Sequence, residues 1–180
     1  VLYKIFVLFL LADGKGKPEE LHYLDTISKD MVFEDYETEE ILNECQELLT
    51  PDTDNSEKVI QEIKKELDWC WDHILLDHDV SVQAKIIWTL LNLGYADQEY
   101  SEPEQKIVKY LIERWKIKSE LVEEMLDTAE TILLLTKQKA WLETSTKFQK
   151  KIKECIDEID HKIDLMFNNI QVTISEADAI

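Results

Sequence analysis

FLLADGKGKPEELHYL (Phe9–Leu24) and LGYADQEYSEPEQKIV (Leu93–Val108) decide the fold when one is set above the other. They align without a gap at an offset of 84 residues. Ala12 meets Ala96, Asp13 meets Asp97, Glu20 meets Glu104 and Leu24 meets Val108. The preceding segments correspond too, Leu2 with Ile86, Phe6 with Leu90 and Phe9 with Leu93. Each half reads as an apolar helix, Ala-Asp, a six-residue turn, Glu and a second apolar helix. A duplicated helix–acidic turn–helix unit is the simplest account.

The repeat also explains the greasy start, VLYKIFVLFLLA, as a core helix matched by AKIIWTLLNLGYAD in the second half. That start falls short of the ~20 apolar residues that a membrane span needs. It also lacks the small-x-small cleavage site of a signal peptide. The absence of an initial Met fits an excised fragment.

Composition points the same way. Three glycines and three prolines in 180 residues, with a hydrophobic content of 44%, suit an all-helical chain with a real core. The net charge of -19 repels phosphate backbones, so nucleic acid is not an expected partner. From Asp30 to Glu57 there are eleven acids and no Lys or Arg, whereas Lys137 to Lys162 holds seven Lys against five acids. An acidic body with a mildly basic tail follows, and cations or a basic protein surface are its natural partners. Cys45, Cys70 and Cys155 are scattered and form no C-x-x-C pair, which reads as reduced thiols in a cytoplasmic protein.

Periodicity and caps predict helices over about 1–12, from Pro18 to about Met31, over 38–49, from Ser56 to about Leu76, and from Ser81 to Leu93. Further helices are expected from Ser101 to Trp115, from Ser119 to Leu135, and from about Lys137 onward. TPDTDNS (Thr50–Ser56) reads as a linker. Ser101-Glu102-Pro103-Glu104 reads as a capping box. The tail after Asn169 carries little helical signal. The five Trp, at 69, 71, 88, 115 and 141, fall on apolar stripes and are expected in the core; Trp141 and Phe148 favour docking of the last helix onto the body, while the run Ile152, Ile156, Ile159, Ile163 and Met166 equally suits a partner helix in a coiled coil. The expected fold is an all-α bundle of about seven to eight helices with two pseudo-symmetric helix–acidic turn–helix repeats. Residues 1–136 form the main domain and 137–180 a helical extension.

Ala12-Asp13-Gly14, with Glu20 seven residues after the Asp, and Ala96-Asp97 with Glu104 in the same register resemble the signature of the TerB-like family. This family comprises the tellurite-resistance protein TerB and the N-terminal domain of the DjlA co-chaperones. The resemblance covers roughly 1–136. It implies an all-α fold of about seven helices with internal pseudo-twofold symmetry. It also implies a cytosolic protein tied to tellurite and metal stress, with a divalent-cation role for the acidic turns and no enzymatic activity. Gln98 stands where the signature prefers Gly, and the first turn carries Lys15 and Lys17.

The residues themselves admit that chemistry. Asp97, Glu99, Glu102 and Glu104 place four carboxylates in eight residues, an oxygen-rich set suited to Ca²⁺ or Mg²⁺. Asp13, Glu19 and Glu20 offer less in the first turn, where lysines compete. The expected metal ligands are Asp97, Glu99 and Glu104, with Asp13 and Glu20 behind them. The alternative is purely structural. Acids in the first turn of a helix satisfy backbone donors and the helix dipole, and the repeat then encodes two well-capped corners of a protein-interaction module. A third alternative, a carboxylate-bridged di-iron protein, draws on Glu19-x-x-His22 and Glu158-x-x-His161. No phosphate loop or catalytic triad is legible, so catalysis is not expected. Tyr95 and Tyr100 flank the second turn, where they could line a cleft.

Overall fold

Helix α1 (Leu2–Leu10) is apolar on every side but one, and Tyr3 through Leu10 are all buried. A helix that is hydrophobic all round belongs in the middle of a protein. In the computed structural model, which describes residues 1–13, 16–30, 35–49, 56–76, 79–145 and 149–177, α1 is the axis of the first of two compact units, Val1–His78 with Ile86–Lys116. Around it lie α2 (Pro18–Asp30), α3 (Asp35–Leu49), α4 (Ser56–His73) and α6 (Glu102–Trp115). A one-turn 3-10 helix, Leu11–Asp13, continues α1 into the first corner. Helix α5 (Val80–Gly94) contributes Ile86 to Gly94 to this unit.

The packing follows the apolar stripes. In α4, Ile60, Ile63, Leu67 and Trp71 are buried as their spacing requires, each such side chain contributing about 1.5–3 kcal/mol. The Trp71 ring meets Trp115 of α6 at 4.5 Å between centroids. Asp68 ties the same helices together, accepting a 2.8 Å hydrogen bond from the Tyr110 hydroxyl and pairing with Arg114 at 3.3 Å. Lys4 is the one charged residue of α1. Its Nζ lies 2.8 Å from Glu44 and 3.2 Å from Glu66. Burial pulls its pKa down, but the two carboxylates outweigh that and hold the ammonium charged. Cys45 and Cys70 are buried free thiols. Burial pushes them up to about 12 and about 11, so both stay protonated and unreactive.

The second unit is Asp79–Lys85 with Ile117–Ile180. It is dominated by α7 (Ser119–Glu143) and α8 (Gln149–Ser175), which pack along each other. Lys139 pairs with Asp160 at 2.6 Å, and Thr173 donates to Glu124 at 3.1 Å. Positions that rise along α7 meet positions that fall along α8, so the two form an antiparallel hairpin. Met125, Ala129, Ile159, Ile170 and Ile174 close its seam.

Eight α-helices and no strand among the described residues make the all-α bundle expected from composition. Five helix limits differ, among them the start of the last helix, at Gln149 rather than about Lys137. The chain does not break at 136–137: α7 runs through to Glu143, and the expected boundary between main domain and extension falls inside it. Thr136 bonds its own helix backbone at 2.9 Å rather than ending it. The segment after Asn169 continues as α8 to Ser175, because Ile170 and Ile174 find the seam. Helix α3 begins earlier, at Asp35, and α4 ends earlier, at His73. Two tryptophans are not core: Trp69 is 47% exposed and Trp141 70% exposed. Trp69 stacks on His73 at 4.4 Å, and Lys4 stands 5.3 Å from its ring, while Trp141 faces away from the hairpin seam. The linker read at Thr50–Ser56, up to residue 55, and the readings on Gly14, Lys15, Met31, Asp77, His78 and Phe148 lie outside the described residues.

Candidate functional site

Both corners form in register. Helix α1 ends at Leu10 and α5 at Gly94; α2 begins at Pro18 and α6 at Glu102. Every one of these limits obeys the 84-residue offset. The glutamates do the same work in each half. Glu20 accepts the backbone N–H of Lys17 at 2.7 Å, and Glu104 accepts that of Ser101 at 2.6 Å. Each is only 1% exposed. The capping box expected at Ser101 is thus present in both arms, the Ser101 side chain facing the Glu104 backbone N–H and the Glu104 carboxylate taking the Ser101 N–H.

The corners touch. The 3-10 turn Leu11–Asp13 packs on α6, and Lys17 of the first corner reaches the second. Its Nζ donates to Asp97 and, at 3.2 Å, to Glu99. The Asp97 side chain is 4% exposed, that of Glu99 77%. Asp97 also accepts the Glu99 backbone N–H at 2.9 Å, closing an Asx turn. The hydrogen bond to Asp97 is the main cause holding the Lys17 ammonium above its ordinary range.

Burial raises Glu20, helped by Asp97 and Asp13, and opposed by the Lys17 N–H. Burial likewise pushes Glu104 up to about 7, with Glu20 and Asp13 adding to it. Four of the five candidate ligands, Asp13, Glu20, Asp97 and Glu104, therefore share one electrostatic neighbourhood built from both repeats. Glu99 stands at its rim. Yet the two buried glutamates are already used as caps, and Lys17 supplies a positive charge from within the chain. Among the described residues no three His, Cys, Asp or Glu side chains are grouped to hold a metal ion.

From its sequence position Lys17 is a competitor for the acids of the first turn only. The structure makes it the bridge between turns, 80 positions from Asp97. No local spacing announces such a pair; only the expectation that the two corners meet could have suggested it. Glu102 pairs with Lys106 at 2.9 Å on the α6 surface and takes no part. Glu19, His22, Glu158 and His161 are all exposed, the first two on α2 and the others on α8, so the inward ligand set of a di-iron bundle is not formed. Tyr95 and Tyr100 pack on each other with ring centroids 5.0 Å apart.

Gln98 adopts φ 71°, the left-handed region that a side chain enters at a cost. It occupies the position that Gly14 holds in the first repeat. Gln98→Gly is expected to stabilise the protein by about 1 kcal/mol, read as a higher urea midpoint at unchanged slope.

Compared with protein-family models, with curated proteins and with solved structures, the chain matches none. No helix of the described residues is long and apolar enough to cross a membrane.

Proposed function

We propose that the chain is a protein-interaction module whose acidic α3 face takes a basic surface of a partner protein. The observation that carries this reading is the one-sidedness of α3. Glu39, Glu40, Asn43, Glu44 and Glu47 line a shallow surface depression. No Lys or Arg occurs between Asp30 and Glu57 to neutralise it from within the segment. A concentrated field of one sign steers an oppositely charged partner and sets its register. The corners, on this reading, are caps and ion pairs that hold α3 and α4 on α1.

A lysine-rich helical peptide, followed by fluorescence anisotropy, is the test. Binding should weaken steeply with salt, and Glu39→Lys/Glu40→Lys/Glu47→Lys should weaken it about tenfold or more while helicity is kept. Equal binding by the triple variant would sink the reading.

The second reading is the divalent-cation role that goes with the resemblance to the TerB-like family and its setting in tellurite and metal stress. Its support is the convergence of Asp13, Glu20, Asp97 and Glu104. A cation entering there has to displace the Lys17 ammonium. Calorimetric titration with Ca²⁺ and Mg²⁺ should therefore give more heat for Lys17→Met than for the natural chain. No saturable heat in either would end this second reading.

A further inference from the structure

Helix α7 has a face that the hairpin leaves uncovered. Met125 and Ala129 turn inward, and the opposite side presents Glu120, Glu123, Asp127, Leu134 and Trp141. Leu134 is 65% exposed and Trp141 70% exposed, two large apolar side chains two helical turns apart on this one face. Two turns from Leu134 in the other direction lies Asp127, at the centre of a shallow depression. Glu120, Glu123, Asp127 and Thr131 of α7 line it together with Met166 of α8.

The charge is graded along the same helix. Its N-terminal half holds five acids, Glu120, Glu123, Glu124, Asp127 and Glu130, and no base. Beyond Leu134 the same face presents exposed Lys137, with no acid before Glu143. Such a face is complementary to itself when reversed. We infer that two copies of the chain pair through α7, antiparallel about a two-fold axis at Leu134, each Trp141 seated in the other copy's depression beside Asp127.

Each part of the face then has a use. Leu134 packs on its own equivalent. The Trp141 ring, an amphipathic anchor of the kind that dominates interfaces, covers Met166 and the Thr131 methyl. Its indole N–H faces carboxylates that accept hydrogen bonds. Lys137 of one copy then lies by Glu130 of the other, whereas a parallel arrangement would set lysine on lysine and acid on acid. The interface is isologous and closes at two copies. It lies wholly within the second unit and does not depend on what α3 binds.

Sedimentation equilibrium of the full chain, up to about 100 µM, should give twice the 21.2 kDa monomer mass. Leu134→Glu and Trp141→Ala should each weaken association at least about tenfold with helicity unchanged, since both side chains are exposed in the monomer. Register is read by cross-linking in a Cys155→Ser background, which removes the exposed thiol. Leu134→Cys should oxidise to a dimer with itself. Asp127→Cys should not, unless mixed with Trp141→Cys. A monomeric mass throughout the range, or self-cross-linking of Asp127→Cys as efficient as that of Leu134→Cys, overturns the proposal.

Discussion

Gly94→Leu is expected to cost about 3 kcal/mol, and Tyr100→Gly should cost less when added to it than it does alone. A methyl group built on Gly94 would lie 2.8 Å from the Tyr100 ring and 3.2 Å from the Phe9 ring. Helix α5 can end where it does only because Gly94 leaves that space. In the first corner the sizes are exchanged. Leu10 ends α1, and a Cβ on Gly16 would fall within 2.3 Å of the Leu10 side chain. Leu10 corresponds to Gly94 and Gly16 to Tyr100 under the same offset. Each corner therefore holds one large and one small residue at equivalent positions, in opposite order. Tyr100→Gly alone should cost about 3–5 kcal/mol, as loss of a packed ring does. The double variant rebuilds the Leu/Gly order of the first corner. Its cost should fall short of the sum by about 1–3 kcal/mol, a coupling that urea denaturation of the four proteins measures. Additive costs would show that the pairs are not exchanged.

This exchange also shows why the repeat was legible and its packing was not. Helix type, corner position and the register of Asp13 with Asp97 and Glu20 with Glu104 follow from periodicity and capping chemistry, which are local. The corner glutamates announce themselves because a carboxylate three residues into a helix has a backbone donor within reach whatever surrounds it. A volume swap between Leu10/Gly16 and Gly94/Tyr100 erases identity at just those positions where it preserves fit. Read as a string, they look like divergence. The Lys17–Asp97 bridge is hidden for another reason: its partners belong to different repeats, and a lysine beside acids reads first as a local neutraliser. The two tryptophans misassigned to the core share one failing. Helical spacing places Trp141 on a stripe without saying which of two stripes the neighbour covers. Helix α7 has apolar residues on both sides, and only the seam with α8 shows that Met125 and Ala129 face inward while Leu134 and Trp141 do not.

Glu104→Gln should raise stability at pH 8 and leave it nearly unchanged at pH 4.5. Burial is the main cause that lifts the Glu104 carboxyl from its ordinary 4.5 to about 7, with smaller contributions from Glu20 and Asp13. The folded chain thus keeps this proton to higher pH than the unfolded chain does. Between pH 4.5 and 7 the folded state binds more protons, so this group lowers stability as pH rises. Below that window the contribution vanishes, and above it the cost is constant at about 3 kcal/mol, the shift converted at 1.36 kcal/mol per unit. Gln keeps an oxygen to accept the Ser101 N–H and carries no charge, so the variant should lose the downward slope. The acid–base pairs Lys4–Glu44 and Lys17–Asp97 remain in both proteins. The difference between natural chain and variant, measured by urea denaturation from pH 4.5 to 8, therefore isolates Glu104. Because Glu20 shares the neighbourhood, Glu20→Gln should bring the apparent midpoint of the Glu104 effect down toward the carboxylate range. A variant that is destabilised equally at every pH would mean that the cap hydrogen bond, and not the buried charge, dominates at this corner.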